Sequence, residues 1–332
     1  MAYKENRRTY FGFEIGGGHI SSGEVQFDYD KPHNRGKIEG FNLSNLVRTN
    51  LNKNRGRDDI LDLIKKRIAG INRQDIEGIG IACPGVIEDG RVLLSFNLRE
   101  LQGRDITGEL REETRKVLGY EIPVYLENDA RLAALAEWHL GKGKELTPHQ
   151  LKARTLTLIN IGTGFTARTI SDGKIIPGAN NIEGELGAYT GDLLGRILDI
   201  TCSGQYFTTR YGETSEELFI TASSDTESKE RTEARQKFTE FGLQVGEQIY
   251  QRLSYVLDSN RVVFTGGVSN AFEFIYPGMK SRILQRIKGS LGAEIADRVS
   301  QNIDRVFSKS ELEELGVLGA TLYSQKMKQA NL

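Results

Sequence analysis

The chain has 332 residues, 38% hydrophobic and 27% charged, which is ordinary folded material and long for a single hydrophobic core. Lys and Arg total 44 against 45 Asp and Glu, and no dense basic stripe breaks that balance, so neither a polyanion nor a membrane surface is the expected partner; Arg55-Gly56-Arg57-Asp58-Asp59 reads as solvated loop. Met1–Tyr10 lacks a signal peptide's apolar stretch, no apolar run has the length of a membrane span, and Cys83 and Cys202 read as buried inert thiols rather than a disulfide or four-thiolate framework, which predicts a cytoplasmic protein of two domains.

Tyr10–Ile15 reads as a strand, followed by Gly16-Gly17-Gly18 and a second strand through Val25 and Phe27. Then come a helix near Ile60–Ile71, a buried strand Gly78–Ala82, a turn at Cys83-Pro84-Gly85, a helix over Ile106–Leu118 and a short strand Val124–Leu126. Asn128-Asp129 caps a helix whose face carries Leu132, Leu135, Ala136 and Leu140 and which Gly141 ends. Leu156–Ile161 is again a strand, followed by Gly162-Thr163-Gly164, another strand, the turn Ser171-Asp172-Gly173-Lys174 and more strand at Ile175-Ile176. Strand, glycine loop, strand thus occurs twice at a domain's spacing, which reads as an architectural duplication. Ala222–Glu233, charged and serine-rich, is the stretch expected to be mobile. Phe238, Phe241, Val245, Ile249, Leu253 and Val256 keep helical spacing into the strand Arg261–Phe264, which ends in Thr265-Gly266-Gly267. A helix over Gly316–Met327 closes the chain. Strands alternating with helices predict an α/β protein with ligands at strand ends.

Glycine after a buried strand lets the backbone approach a phosphate without a Cβ in the way and turns several N–H donors toward the anion. A lone glycine loop is as well explained by a tight turn. Three at strand ends, Gly16-Gly17-Gly18, Gly162-Thr163-Gly164 and Gly266-Gly267, point to a phosphorylated ligand, although none has P-loop or Rossmann spacing.

The motifs resemble, in order along the chain, those of the ROK (repressor, open reading frame, kinase) sugar kinases. Glu14-Ile15-Gly16-Gly17-Gly18 is similar to the family's Asp-Ile-Gly-Gly-Thr loop, Ile79–Gly85 to its Pro-Gly turn after a glycine-rich strand, and Asn97-Leu98 to its Asn-Leu segment. Glu127-Asn128-Asp129-Ala130 looks like its Glu-Asn-Asp-Ala. Gly184-Glu185-Leu186-Gly187, after Pro177-Gly178-Ala179-Asn180, resembles its Gly-Glu-x-Gly-His, and Val262–Ser269 its adenosine segment.

The resemblance implies two actin-like ATPase (ribonuclease H-like) lobes with a central interlobe cleft: an N-terminal lobe of residues 1–130 plus 316–332 and a C-terminal lobe of 131–315 carrying the adenosine site. It implies an ATP-dependent kinase that transfers the γ-phosphate to a hydroxyl of a hexose, amino sugar or related polyol. Asp129 would be the general base, although its place before a helix also suits a cap; Asn128, Glu185, Asp199 and Asn97 would bind the sugar. Gly16, Gly17, Gly162, Thr163, Gly164, Gly266 and Gly267 would hold the nucleotide, and Glu14 would hold Mg²⁺ through water. The implied partners are a small-molecule sugar, a nucleotide and a second copy in a homodimer, with no nucleic acid and no membrane.

This chain departs from the pattern. Glu14 replaces the loop's Asp, Gly18 its Thr, and Phe165-Thr166-Ala167 sets side chains where the family's glycines let backbone approach the triphosphate. Ala188 stands at the His position and Gly191–Leu198 has no cysteine, so the family's zinc site is expected to be absent and the substrate to differ from plain glucose. His139 and His149 are expected at the surface, and His19 follows the first phosphate loop. These departures keep open a catalytically weak or inactive ROK-like sugar or nucleotide sensor, and behind it a phosphatase or ATPase of the same superfamily. With few residues ahead of the first glycine loop, no DNA-binding helix-turn-helix is expected.

Overall fold

The structure is a computed structural model and describes residues 8–29, 38–51, 59–71, 75–95, 98–147, 153–176, 178, 195–252 and 259–330. As far as Leu140 the elements are β1 (Thr9–Ile15), β2 (His19–Tyr29), β3 (Ile38–Asn50), α1 (Asp59–Ala69), β4 (Ile76–Cys83), β5 (Val86–Glu88), β6 (Arg91–Leu94), α2 (Ile106–Leu118), β7 (Val124–Asn128) and α3 (Asp129–Leu140). Then follow β8 (Thr155–Ile161), β9 (Phe165–Ser171), β10 (Lys174–Ile175), α4 (Leu198–Thr201), α5 (Gln205–Tyr211), α6 (Ser215–Ala222), α7 (Lys229–Arg252) and β11 (Arg261–Thr265). The chain ends with α8 (Phe272–Leu291), α9 (Ala293–Val306), β12 (Phe307–Lys309) and α10 (Leu315–Ala330).

The chain divides into two compact units, the first of Met1–Lys144, Gly173–Ile182 and Leu312–Leu332, the second of Glu145–Asp172 and Glu183–Glu311. The sequence-based boundary after residue 130 therefore shifts, because the whole of α3 packs on α10. A Cβ on Gly319 would lie 1.9 Å from the Leu132 carbonyl oxygen, and one on Gly80 1.8 Å from that of Ala320. Only glycine lets α10 lie this close to both β4 and α3.

In the first unit the sheet order is β3-β2-β1-β4-β7. β1 runs antiparallel to β2 and parallel to β4, which runs parallel to β7. β1 and β4 are almost wholly buried, as strands covered on both faces are, which is why their sequences read as near-continuous apolar runs. The register sets Glu14 opposite Ala82 and Ala82 opposite Glu127. The chain thus leaves β1, β4 and β7 at the same end of the sheet, where Gly16–Gly18, Pro84-Gly85 and Asp129 follow. Beneath the sheet Phe11, Phe13, Ile79 and Ile81 join Ile60, Ile64 and Ile68 of α1 and Leu110 of α2 in one core.

In the second unit β9-β8-β11-β12 repeats the order β2-β1-β4-β7, with β9 antiparallel to β8 and β11 parallel to both β8 and β12. Phe207, Phe238, Phe241 and Phe264 meet at its centre, and Val245 and Ile249 continue the same face of α7. Leu253 and Val256, expected on that face, lie outside the described residues. The polar stretch Ala222–Glu233 is structured at both ends, closing α6 and opening α7, and the Arg235 Nε donates to the Ala222 carbonyl at 2.9 Å across the connection. Among the described residues no helix is long and apolar enough to cross a membrane.

Candidate active site

Asp129 is the first residue of α3, directly after β7. The cap itself is Asn128: its Oδ1 accepts from the Arg131 N–H at 3.1 Å while its Nδ2 donates to the Gly85 carbonyl at 3.0 Å. Asn128 is thus buried with both ends of its amide engaged, and it ties the turn after β4 to the start of α3. Behind it the nearly inaccessible Arg131 pairs with Glu127 at 3.1 Å. Within this scaffold the Asp129 Oδ1 accepts from the Ala130 N–H at 2.8 Å.

Glu14, one residue before the end of β1, shares this end of the sheet. A Cβ on Gly316 would come within 2.3 Å of its carboxyl carbon, so the first turn of α10 lies directly on the Glu14 head group. Burial pushes the Glu14 carboxyl up to about 7, the Asp129 and Glu314 carboxylates add to the rise, and Arg48 pulls against it. Glu314 sits in the left-handed region (φ 52) just ahead of α10. The Asp129 and Glu314 carboxylates, brought from two other segments, thus bear on Glu14 beside the first glycine loop.

That loop is closed by the Gly16 N–H donating to the His19 carbonyl at 2.8 Å, and tied to the end of β3 by the Leu51 N–H donating to the Gly18 carbonyl at 2.8 Å. The His19 ring lies over Gly16, where an added Cβ would be 3.0 Å from its Cε1. The nitrogen Nδ1 of His19 is 3.3 Å from an Arg48 guanidinium nitrogen. Burial lowers the His19 pKa, Arg48 lowers it further and Glu314 opposes.

The second glycine loop is set among mostly uncharged side chains. Gly162 N–H donates to the Gly164 carbonyl at 3.0 Å, and the Gly162 carbonyl accepts from the Gly204 N–H at 2.8 Å. Asp199 accepts the Phe165 N–H at 2.7 Å, and Gln205 Nε2 donates to the Thr163 carbonyl at 3.2 Å. Asp199, expected to meet the sugar, is placed as a brace of this loop. The Phe165 ring, expected near the triphosphate, is instead buried in the core with Ile161, Leu198 and Cys202, because inward and outward positions alternate along β9 and Phe165 takes an inward one. A cavity of ≈ 330 Å³ opens at this loop, lined by Gly162, Thr163, Gly204, Gln205, Thr208, Thr214, Ser215, Glu216, Gly267 and Val268. The volume is that of a small-molecule site. The sequence reading found Gly162, Thr163 and Gly267 and missed Gln205, Thr208 and Glu216, which carry no motif of their own. Gly266 joins β11 to the turn Gly267–Ala271, beside the cavity.

Asn97 and Glu185, expected to bind the sugar, and His149 lie outside the described residues, as do Ala188 and part of Gly191–Leu198. His139, expected at the surface, is half-buried against Lys326 and the Gly173 turn; its Nε2 is buried without a partner, and burial drives its pKa down to about 3. Cys83 and Cys202 are buried, as expected of inert thiols.

A family model described as the ROK family matches residues 42–326. The chain belongs to the ROK family. This ROK chain is 31% identical to a glucokinase of Halalkalibacterium halodurans over 195 residues, which are 55% of this chain and 50% of the relative, so that match spans half the relative's length. It is 29% identical to an N-acetyl-D-glucosamine kinase of Vibrio parahaemolyticus over 300 residues, 82% of this chain and 89% of the relative. Among solved structures it resembles a ROK family glucokinase from Streptomyces griseus in complex with glucose and AMPPNP, with a TM-score of 0.67 at 21% identity over 96% of this chain and 99% of that one. The ROK chain has the actin-like ATPase fold of these neighbours, and the repeated strand order of its two units is the duplication that fold contains.

Proposed function

We propose that this ROK protein is a sugar kinase, an ATP-dependent phosphotransferase that moves the γ-phosphate to a hydroxyl of a hexose, amino sugar or related polyol. The observation that carries the reading is Asp129. Its carboxylate stands at the strand ends of the first unit, where the Asn128 cap and the Arg131–Glu127 pair fix the start of α3. A hydroxyl attacks a phosphorus only as its proton is accepted, and a positioned carboxylate does this. Its relatives' names, glucokinase and N-acetyl-D-glucosamine kinase, support a sugar as acceptor and leave its identity open.

The nucleotide is assigned to the cavity of the second unit. Backbone N–H groups of the Gly162–Gly164 loop would meet phosphate, Gly266 and Gly267 would border the nucleoside, and the Glu216 carboxylate can accept hydrogen bonds from ribose hydroxyls. Asn128 and Asp199 then act as positioning residues, one for Asp129 and one for the loop. Glu185 and Asn97 keep their proposed contacts to the sugar.

The carboxylates of the first unit suit Mg²⁺, since burial raises Glu14 most and the nearby Asp129 and Glu314 carboxylates add to the rise, a condition a divalent cation relieves. Among the described residues no group of three or more His, Cys, Asp or Glu side chains could hold a metal, so Glu14 and Asp129 would supply part of a shell completed by water and phosphate. Bound with the nucleotide, the ion would neutralise phosphate charge as it is transferred.

Initial rates with ATP, Mg²⁺ and a panel of hexoses, amino sugars and polyols test the proposal. Asp129→Asn should lower turnover by about a hundred- to ten-thousandfold with an unchanged melting temperature; full activity in that variant removes the assigned base. The raised Glu14 carboxyl, buried and close to Asp129 and Glu314, favours one second reading, a sugar or nucleotide sensor of little or no turnover. Nucleotide binding without phosphorylation of any panel member would select it.

A further inference from the structure

We propose that the cavity along the free edge of β7, in the first unit, is a second small-molecule site that takes a neutral, hydroxyl-rich ligand, a sugar or polyol. The proposal goes beyond the kinase reading and does not depend on turnover. β7 closes the sheet order β3-β2-β1-β4-β7, so among the described residues one of its edges has no strand beside it. A cavity of ≈ 380 Å³, within the range of small-molecule sites, runs along that edge, walled by the β5–β6 turn, α2 and α10. Four consecutive β7 residues, Val124–Glu127, line it. Side chains alternate between the two faces of a strand, so a space that meets all four lies at the edge, where backbone is reached. Its α10 wall is Tyr323 and Met327, which lie roughly 10 to 16 Å along the helix from Gly316, so the cavity extends away from the strand ends where Glu14 and Asp129 stand.

The walls are preformed. Asp89 and Gly90 both take positive φ, 46 and 75, as the two-residue turn of an antiparallel hairpin requires. A Cβ on Gly90 would lie 2.1 Å from the Thr107 Oγ1, so this turn is set directly on the start of α2, and the Arg91–Asp105 pair at 3.3 Å holds it there. On the strand side the Ile79 N–H donates to the Pro123 carbonyl at 2.9 Å, which turns the backbone groups of Pro123 and Tyr125 toward β4 and those of Val124 and Leu126 toward the free edge. Arg111 Nη2 donates to the Val124 carbonyl at 3.0 Å, so an added peptide strand finds that acceptor taken, whereas a compact ligand can use the N–H and C=O of Leu126. Charge then selects the ligand. The charged side chains of the lining are Arg111, Asp89 and Glu127, and Glu127 is paired with Arg131 at 3.1 Å. Two cations against two carboxylates favour neither an anion nor a cation. Carboxylates accept from ligand hydroxyls and a guanidinium donates to them, while Tyr125 and Tyr323 add hydroxyls and ring faces. Burial raises the Tyr323 pKa to about 12 and Glu127 adds to the rise, so the phenol remains a donor near that carboxylate.

Equilibrium titration with glucose, N-acetylglucosamine and sorbitol, and with glucose 6-phosphate and glucosamine as charged counterparts, tests this. A neutral probe should bind wild-type protein in an equivalent that Met327→Trp, which fills the cavity, removes. Asp89→Asn, which keeps a residue tolerant of positive φ, and Tyr323→Phe should each weaken that equivalent by about tenfold. Asp129→Asn should leave it intact. Its loss in Asp129→Asn as well, wild-type affinity in all three cavity variants, or no binding of any neutral probe overturns the inference. So does tighter binding of glucose 6-phosphate or glucosamine than of glucose in this equivalent. A protein that phosphorylates sugar but lacks the equivalent keeps the kinase reading alone; one that binds here and phosphorylates no sugar loses only that reading.

Discussion

Gly16–Gly18 and Gly162–Gly164 follow equivalent strands, β1 and β8, and each closes on itself with a backbone hydrogen bond, at 2.8 Å to His19 and 3.0 Å to Gly164 respectively. Around the first stand Glu14, Asp129, Glu314, Arg48 and His19, groups that titrate or carry charge. Around the second are Thr163, Gln205, Thr208, Thr214 and Ser215, with Glu216 the carboxylate of the cavity and Asp199 committed to the Phe165 N–H. The backbone plan is the same in both. On the proposed kinase reading, one copy moves a proton and faces a transferred charge while the other holds a polar ligand still. On that reading a duplicated loop conveys where phosphate can be met, and the side chains brought in by other elements decide what happens to it.

The two aspartates test this division most sharply. Asp129→Asn should abolish most turnover while nucleotide affinity and stability stay near wild type; a parallel loss of affinity would mean that Asp129 also holds the nucleotide. Phe165→Ala comes next. Its ring fills the core of the second unit, so the variant should lose about 3–5 kcal/mol of stability in chemical denaturation. An unchanged stability with altered ATP affinity would return the ring to the triphosphate path. Asp199→Ala should cost about 1.5–3 kcal/mol for the charged hydrogen bond to the loop, and weaken nucleotide binding with little effect on the sugar's KM. If the sugar's KM alone responds, Asp199 belongs to the acceptor after all.

The strands and helices whose apolar positions are regular were legible in the sequence: β1, β4 and β8 as buried runs, α2 to its terminal residues, and α7 by its phenylalanines. β3 was not, since its outward residues, Leu46 and Val47 among them, are exposed and give no alternation to read. Asp129 and the glycine loops could be proposed from sequence because their candidates are neighbours along the chain. Arg48, Glu314 and Glu216 could not, because strand pairing or helix packing brings each beside those loops from far away in sequence. Phe165 was misjudged for a related reason: its position in a loop motif says nothing of which face of β9 it takes. His139 was misjudged because the polar end of an amphipathic pattern was read without α10, which covers it.

The smallest expected effect concerns the charge beside the first loop. Glu14 has its carboxyl raised from 4.5 to about 7, so between these pH values the native protein holds a proton that the unfolded chain has released. Stability from this group is therefore full below pH 4.5 and declines as pH rises toward 7, after which it levels. Glu14→Gln keeps the neutral shape and should flatten that decline, leaving the variant equal to wild type near pH 4 and more stable near pH 8. The gain should be about 1–2 kcal/mol, below the full linkage value, because the first turn of α10 lies on the carboxylate and its N–H dipoles favour the charged form. Urea denaturation of Glu14→Gln and wild type across pH 4–8 makes the comparison. Parallel curves for Glu14→Gln and wild type would mean that burial and the nearby Asp129 and Glu314 carboxylates do not raise the Glu14 carboxyl, and the contrast between the two loops would weaken with them.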